Sequence, residues 1–175
     1  MTAFSIRIFG DPVLRVPAKK VTEIDGGLAR LVATMYVTMD VSRGAGLAAP
    51  QVGVQKQLFT YDVGDGPQAL INPEIVDQSG ECAYDEGCLS IPGFYFEIVR
   101  PERVTMSGLD SEGNAVVVEA DDILSRVLQH ELDHLNGTLM LDRLDPDERK
   151  KALKQIREQD LSKIQVPRGR RHRRL

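Results

Sequence analysis

Nine residues near the end of the chain, Gln129-His130-Glu131-Leu132-Asp133-His134-Leu135-Asn136-Gly137, carry the chemistry most plainly written in this sequence. His130 and His134 are four apart with Glu131 beside the first, the H-E-x-x-H pattern of a helix-borne metal hydrolase. Residues four apart share a helix face, so both imidazoles can reach one ion. Glu131 projects near the same point, where it can move a proton for water activated by the ion. The chain has three histidines, and the third, His172, sits in a basic tail. Two imidazoles do not complete a site, so the third ligand decides the chemistry.

Metalloproteases built on this helix complete the site in one of two ways. A third histidine six residues after the second would fall on Met140, which cannot serve. A glutamate from a later helix would be Glu148 or Glu158, both in a charged amphipathic stretch where solvated faces explain them equally well. Cys88, in Glu86-Gly87-Cys88-Leu89-Ser90, is the better candidate. One thiolate with two imidazoles suits a divalent transition metal and leaves a position open for chemistry. The plainer alternative for Cys88 is a buried structural cysteine, and that is the expectation for Cys82. A third segment, Gly44-Ala45-Gly46-Leu47-Ala48-Ala49-Pro50-Gln51, fits the glycine fingerprint of dinucleotide sites only superficially. A helix precedes it, and Pro50 would break the helix that should follow. A bare loop ending in a neutral amide suits contact with an extended peptide, or simply a turn.

These segments need elements to position them. A helix is expected from about Asp25 to Asp40, ending at Ser42-Arg43-Gly44, from the spacing of Leu28, Leu31, Val32, Met35 and Met39. Strands are expected at Leu58–Val63, Ala69–Asn72, Phe94–Val99, Arg103–Leu109 and Val116–Glu119, with a hairpin turn over Asp110–Asn114. Residues 4–20, punctuated by Asp11-Pro12 and Val16-Pro17, read as an extended arm. Asp121 or Asp122 can cap the motif helix, which runs to about Leu135 and stops at Gly137. Val127 and Ile123, one and two turns before Glu131, would floor the site with apolar side chains. A last helix starts with Asp145 as cap, Pro146 at its first position and Glu148 completing a capping box. The fold class is α+β, with sheets around a central helix carrying H-E-x-x-H and a C-terminal helix.

Length and composition fit one soluble domain: 175 residues, 42% hydrophobic and 27% charged. The expected division is a catalytic unit over residues 1–162 and a flexible basic tail over 163–175. No apolar run is long enough to span a bilayer, the start lacks a secretory signal, and two cysteines fit a reducing compartment, so a cytoplasmic location is expected. The tail carries Lys163, Arg168, Arg170, Arg171, Arg173 and Arg174, a charge of +6 within a net charge of −4, leaving an acidic body. Such a tail either frays into solvent or touches a polyanion.

Taken in order, Gly44–Gln51, Glu86–Ser90 and Gln129–Gly137, with the early Phe9-Gly10-Asp11-Pro12-Val13-Leu14-Arg15, resemble the peptide deformylase family along nearly the whole chain. The resemblance implies three antiparallel sheets around the motif helix and hydrolysis of the formyl group from N-formylmethionyl nascent peptides, releasing formate. It implies Cys88, His130 and His134 as ligands of one divalent ion, Fe2+ foremost with Zn2+, Ni2+ or Co2+ as substitutes. Glu131 would be the general base and acid, with Gln51 and the Leu89 N–H stabilising the oxyanion. Gly46 and Gly87 would pair with the substrate backbone, and Val127 would help line the methionine pocket. Many bacterial members place an arginine after Ile91-Pro92, where this chain has Gly93-Phe94-Tyr95-Phe96, an uncharged aromatic rim. The terminal helix and basic tail could dock on the ribosome, whose RNA is polyanionic; neither a membrane nor DNA is an expected partner. Two rival readings are a peptidase with a downstream glutamate ligand and a non-catalytic relative serving as a binding module.

Overall fold

The structure, a computed structural model, describes residues 2–159. The first helix, α1 (Gly26–Ser42), begins where Asp25 accepts the Leu28 N–H at 2.8 Å and ends where Arg43 turns left-handed, at φ 59°. Leu28, Val32, Met35 and Met39 recur at helical spacing and are buried against Leu47, Leu58 and Ile71. The strands follow as β1 (Gly46–Ala48), β2 (Leu58–Tyr61), β3 (Gln68–Ser79), β4 (Cys82–Cys88), β5 (Ile91–Arg100), β6 (Arg103–Leu109) and β7 (Ala115–Ala120). Five of them pair antiparallel in the order β1-β2-β3-β6-β7, and β4 with β5 makes a separate two-stranded sheet. Among the described residues there are therefore two named sheets rather than three, and the one parallel pairing is an isolated bridge, Lys19 to Lys56.

The motif helix, α2 (Asp122–Leu135), lies on the larger sheet. Leu128 and Leu135 are fully buried with Phe59, Leu70, Val104 and Met106, and Leu124 and Leu132 pack at the margin. Each such leucine withdrawn from water contributes about 1.5–3 kcal/mol. Asp121 stands at the N-cap position, as expected, but its side chain makes no capping bond. Gly137 does mark the stop: at φ +72° its α-carbon lies against the Arg15 carbonyl, with no room for a β-carbon, while the Ala18 N–H closes the helix end by donating to the Leu135 carbonyl at 2.8 Å. The N-terminal arm thus straps the end of the helix that carries the histidines.

The last helix, α3 (Pro146–Glu158), starts as expected, with Asp145 accepting the N–H groups of Asp147 and Glu148. The Glu148 carboxylate does not complete the capping box and pairs instead with Lys151 at 2.7 Å. Ala152 and Ile156 turn inward onto Ile91, Phe94 and Ile98 of the hairpin, with Met140 and Leu141 beneath. No helix is long and apolar enough to cross a membrane among the described residues. The basic tail over 163–175, with His172, lies outside the described residues.

Candidate metal centre and active site

The site forms because a strand and a helix with matching rises run side by side. In β4, residues 84, 86 and 88 point to one face about 6.6 Å apart. In α2, residues 126, 130 and 134 form one row about 6 Å apart. The two rows meet rung by rung. The Arg126 guanidinium lies 5.1 Å from the Tyr84 ring centroid, His130 Nδ1 is 3.0 Å from Glu86 Oε2, and His134 Nε2 is 3.3 Å from Cys88 Sγ. Ligand atoms of Cys88, His130 and His134 all lie within 4.8 Å of one another, and both rings sit edge to face with centroids 5.0 Å apart. One soft sulfur and two imidazole nitrogens, gathered within reach of a single point, fit a first-row divalent ion. Glu148 and Glu158 do not compete, because both are largely exposed beside Lys151 and Lys154. Cys88 is the third member of the candidate set.

Glu86 fixes the orientation of His130. Its Oε1 accepts from Arg100 Nε at 2.6 Å and Arg126 Nη1 at 2.8 Å, and its Oε2 accepts from Arg100 Nη2 at 2.9 Å and faces His130 Nδ1. Burial would raise the Glu86 carboxyl, but the hydrogen bonds from His130 and Arg100 and the Arg100 charge hold it down to about 2. An ionised Glu86 keeps a proton on His130 Nδ1 and turns Nε2 toward Cys88, the outer-shell arrangement that fixes ligating histidines. Burial opposes charge on His130 too, yet its bonds to Cys88 and Glu86 push its pKa well above the usual histidine value. Burial, followed by the His130 and Arg100 charges, pushes His134 well below it.

Glu131 is buried between these ligands and β1. Burial raises its carboxyl to about 7, against the pull of the His130 and Arg100 charges, and its Oε2 has no hydrogen-bond partner. A carboxyl in that range can both take and return a proton near neutral pH. Gly46 makes room for it, since a β-carbon there would overlap Glu131 Oε1. Gln51 is 1% exposed, and its Oε1 accepts the Ala48 N–H at 2.8 Å. That bond settles the amide's orientation: Nε2 must point at the site, 3.2 Å from Ser90 Oγ and 3.8 Å from Cys88 Sγ. Leu89 stands in the β4–β5 turn with its side chain over Gly44.

The structure thus brings together Cys88, His130, His134, Glu131, Gln51, Leu89 and Gly46. Gly87 lies on the outward face of β4 beneath the Tyr95 ring, and Val127 is half-buried beside the larger sheet's core. Ile123 is 44% exposed and does not floor the site. Cys82 is an exposed free thiol, not a buried structural one, because it opens β4 beyond the end of the packed seam. Glu86, Arg100, Asp133, Arg126 and Ser90 also belong to the site, although no motif in the sequence assigns them a role. Two of these have a local signal: Glu86 is two residues before Cys88 and so on the same strand face, and Arg126 is four before His130 and so in the same helix row.

Known proteins resemble this chain in both sequence and shape. A family model described as polypeptide deformylase matches residues 3–150. The peptide deformylase of Acidothermus cellulolyticus is 45% identical over 158 residues, covering 90% of this chain and 88% of that protein. That of a Parafrankia species is 48% identical over 169 residues, covering 95% and 92%. Among solved structures, the Ehrlichia chaffeensis peptide deformylase in complex with actinonin superposes with a TM-score of 0.86 at 39% identity, covering 90% of this chain and 98% of that one. The Thermotoga maritima enzyme gives 0.81 at 45%, covering 83% and 100%.

Proposed function

The chain belongs to the polypeptide deformylase family, metal-dependent hydrolases that remove the N-formyl group from nascent peptides, and from that premise we propose how its own residues do so. Cys88, His130 and His134 hold one divalent ion, with Fe2+ the favoured metal and Zn2+, Ni2+ or Co2+ acceptable to the same donors. When bound, the ion supplies Lewis acidity, lowering the pKa of water at the site and polarising the formyl carbonyl. Glu131 removes the proton of the attacking water. As the C–N bond breaks, Glu131 returns that proton to the leaving amine, releasing formate and a free N-terminus. Gln51 Nε2 and the Leu89 N–H donate to the charge that develops on the formyl oxygen; losing one such donor typically costs on the order of a hundredfold or more in turnover.

The peptide enters as an extended strand between the edges of β1 and β4, pairing with the backbone at Gly46 and Gly87. Val127 contributes to the methionine pocket. Residues 1–162 form the catalytic unit, working in the cytoplasm, while α3 and the basic residues of 163–175 approach the ribosome through its RNA. The observation that carries this reading is the meeting of Cys88 with both motif histidines, with Glu131 walled in by Gly46. Anaerobically purified protein should release formate from a formyl-Met peptide with about one ion per chain. Cys88→Ala should abolish both; a Cys88→Ala protein that keeps its ion and its activity would move the reading to a peptidase with a glutamate ligand. For the ribosome, deleting 163–175 should weaken co-sedimentation in a salt-dependent way, and unchanged binding contradicts that part.

A further inference from the structure

Helix α2 supplies two candidate ligands and the β4–β5 hairpin the third, so the site survives only while those two elements keep one relative position. They share no sheet. Their apolar surfaces also face elsewhere: Leu128 and Leu135 of α2 go to the larger sheet, whereas Ile91, Phe94 and Ile98 of the hairpin go to Met140, Leu141, Ala152 and Ile156. What joins hairpin to helix is polar. The inner part is buried, with Arg100 of β5 bonded to Glu86 of β4 and, through Nη1 at 2.9 Å, to Asp133 of α2. At the outer end stands Arg126, one turn before His130, with 11% of its side chain exposed.

Arg126 reaches four points of the hairpin from the helix. Its Nη1 donates to Glu86 Oε1 at 2.8 Å and to the Ile98 carbonyl at 3.2 Å; its Nη2 donates to the Cys82 carbonyl at 3.2 Å; its Cζ lies over the Tyr84 ring, 5.1 Å from the centroid. Two of those acceptors are main-chain carbonyls on different strands, so sliding the hairpin along α2, or parting β4 from β5, breaks the bonds. Only a planar, forked cation serves acceptors spread this way while stacking on a ring. On Glu86, Arg126 and Arg100 fill Oε1, which leaves Oε2 to face the His130 imidazole.

We infer that Arg126 is a positioning residue that locks the β4–β5 hairpin onto α2 and so holds Cys88 in range of His130 and His134. The inference rests on the ligand assignment proposed above. It is tested with Co2+-loaded protein, following the thiolate-to-cobalt absorption band and the rate of Co2+ loss to a chelator, alongside the Tm of the metal-free protein. Wild type should show the band. Arg126→Met should weaken the band and lose Co2+ about 10–100-fold faster, the range for outer-shell partners of metal ligands. Arg126→Lys should recover little, because one compact ammonium cannot span acceptors divided between two guanidinium nitrogens, and Tyr84→Ala should have the smallest effect. An unchanged band and loss rate in Arg126→Met would overturn the inference. So would a lysine variant indistinguishable from wild type, or losses that merely track Tm across the three variants. If Arg126→Met does not fold, Arg126→Lys and Tyr84→Ala make the same comparison. A wild-type protein with no thiolate band overturns the ligand assignment itself rather than the role of Arg126.

Discussion

Helix α2 faces two sheets and meets them by different physics. Toward the five-stranded sheet it presents leucines, which join Phe59, Leu70 and Met106 in a dry core. Toward the hairpin it presents Arg126, His130, Asp133 and His134, which meet Glu86, Cys88 and Arg100. Carbon packing gains energy from burial wherever shapes fit, and so sets little direction. A seam of charges is costly to bury and repays that cost only in one geometry. The first contact makes the molecule stable, and the second makes it specific. Cys88, the third candidate ligand, arrives across the second.

Substitutions on each side should separate the two roles. The largest effect on function is expected from Gly46→Ala, whose β-carbon would displace the Glu131 carboxylate; formate release should fall about a hundredfold or more, as for loss of a positioned proton-transfer group, while Tm changes little. Arg100→Met breaks the seam at its centre and takes from buried Glu86 and Asp133 the cation that bridges them, leaving Arg126 on the first and Arg143 on the second. Denaturant unfolding should report about 3–5 kcal/mol lost, and the folded fraction should bind its ion poorly. Leu128→Ala, on the apolar side, should cost about 2–5 kcal/mol yet leave metal stoichiometry and kcat of the folded protein near wild type. If Leu128→Ala harmed metal binding as much as Arg100→Met, the division of labour would be wrong.

The smallest effect concerns Asp142, outside both seams. Burial raises its carboxyl, but hydrogen bonds from Arg15 and the Leu139 N–H and the charges of Arg15 and Arg149 lower it on balance. A depressed folded value means its contribution is present above the ordinary aspartate pKa of about 3.9 and is lost as pH falls through the lower folded value. Asp142→Asn should therefore lower Tm by a few degrees at neutral pH and by less near pH 3. A deficit that grew toward acid would contradict the sign.

The sequence showed the apolar half of this architecture better than the ionic half, for physical reasons. Helix α2 announces itself because its two histidines are four apart and its stop is a local glycine. Strand β6 was expected at its observed bounds, Arg103–Leu109, because its alternation faces one core. Strand β4 was missed because Cys-Ala-Tyr-Asp-Glu-Gly-Cys spends its inward positions on chemistry and has no β-branched residue to mark it. Strand β1 is three residues with a glycine first, and β3 was expected to end at Asn72 because Asn72-Pro73 reads as a breaker. Strand β3 instead continues to Ser79, with register shifts that absorb the interruption. Glu86, Arg100 and Asp133 meet across 14 and 33 residues of chain, a separation no local pattern reveals.

The central claim is that one ion is held jointly by the hairpin and the helix. Zinc K-edge X-ray absorption on the Zn2+-reconstituted protein tests it most directly. The account predicts one sulfur at about 2.3 Å and two imidazole nitrogens at about 2.0–2.1 Å, with the sulfur lost in Cys88→Ala. A shell of nitrogen and oxygen without sulfur in the wild-type protein would contradict it.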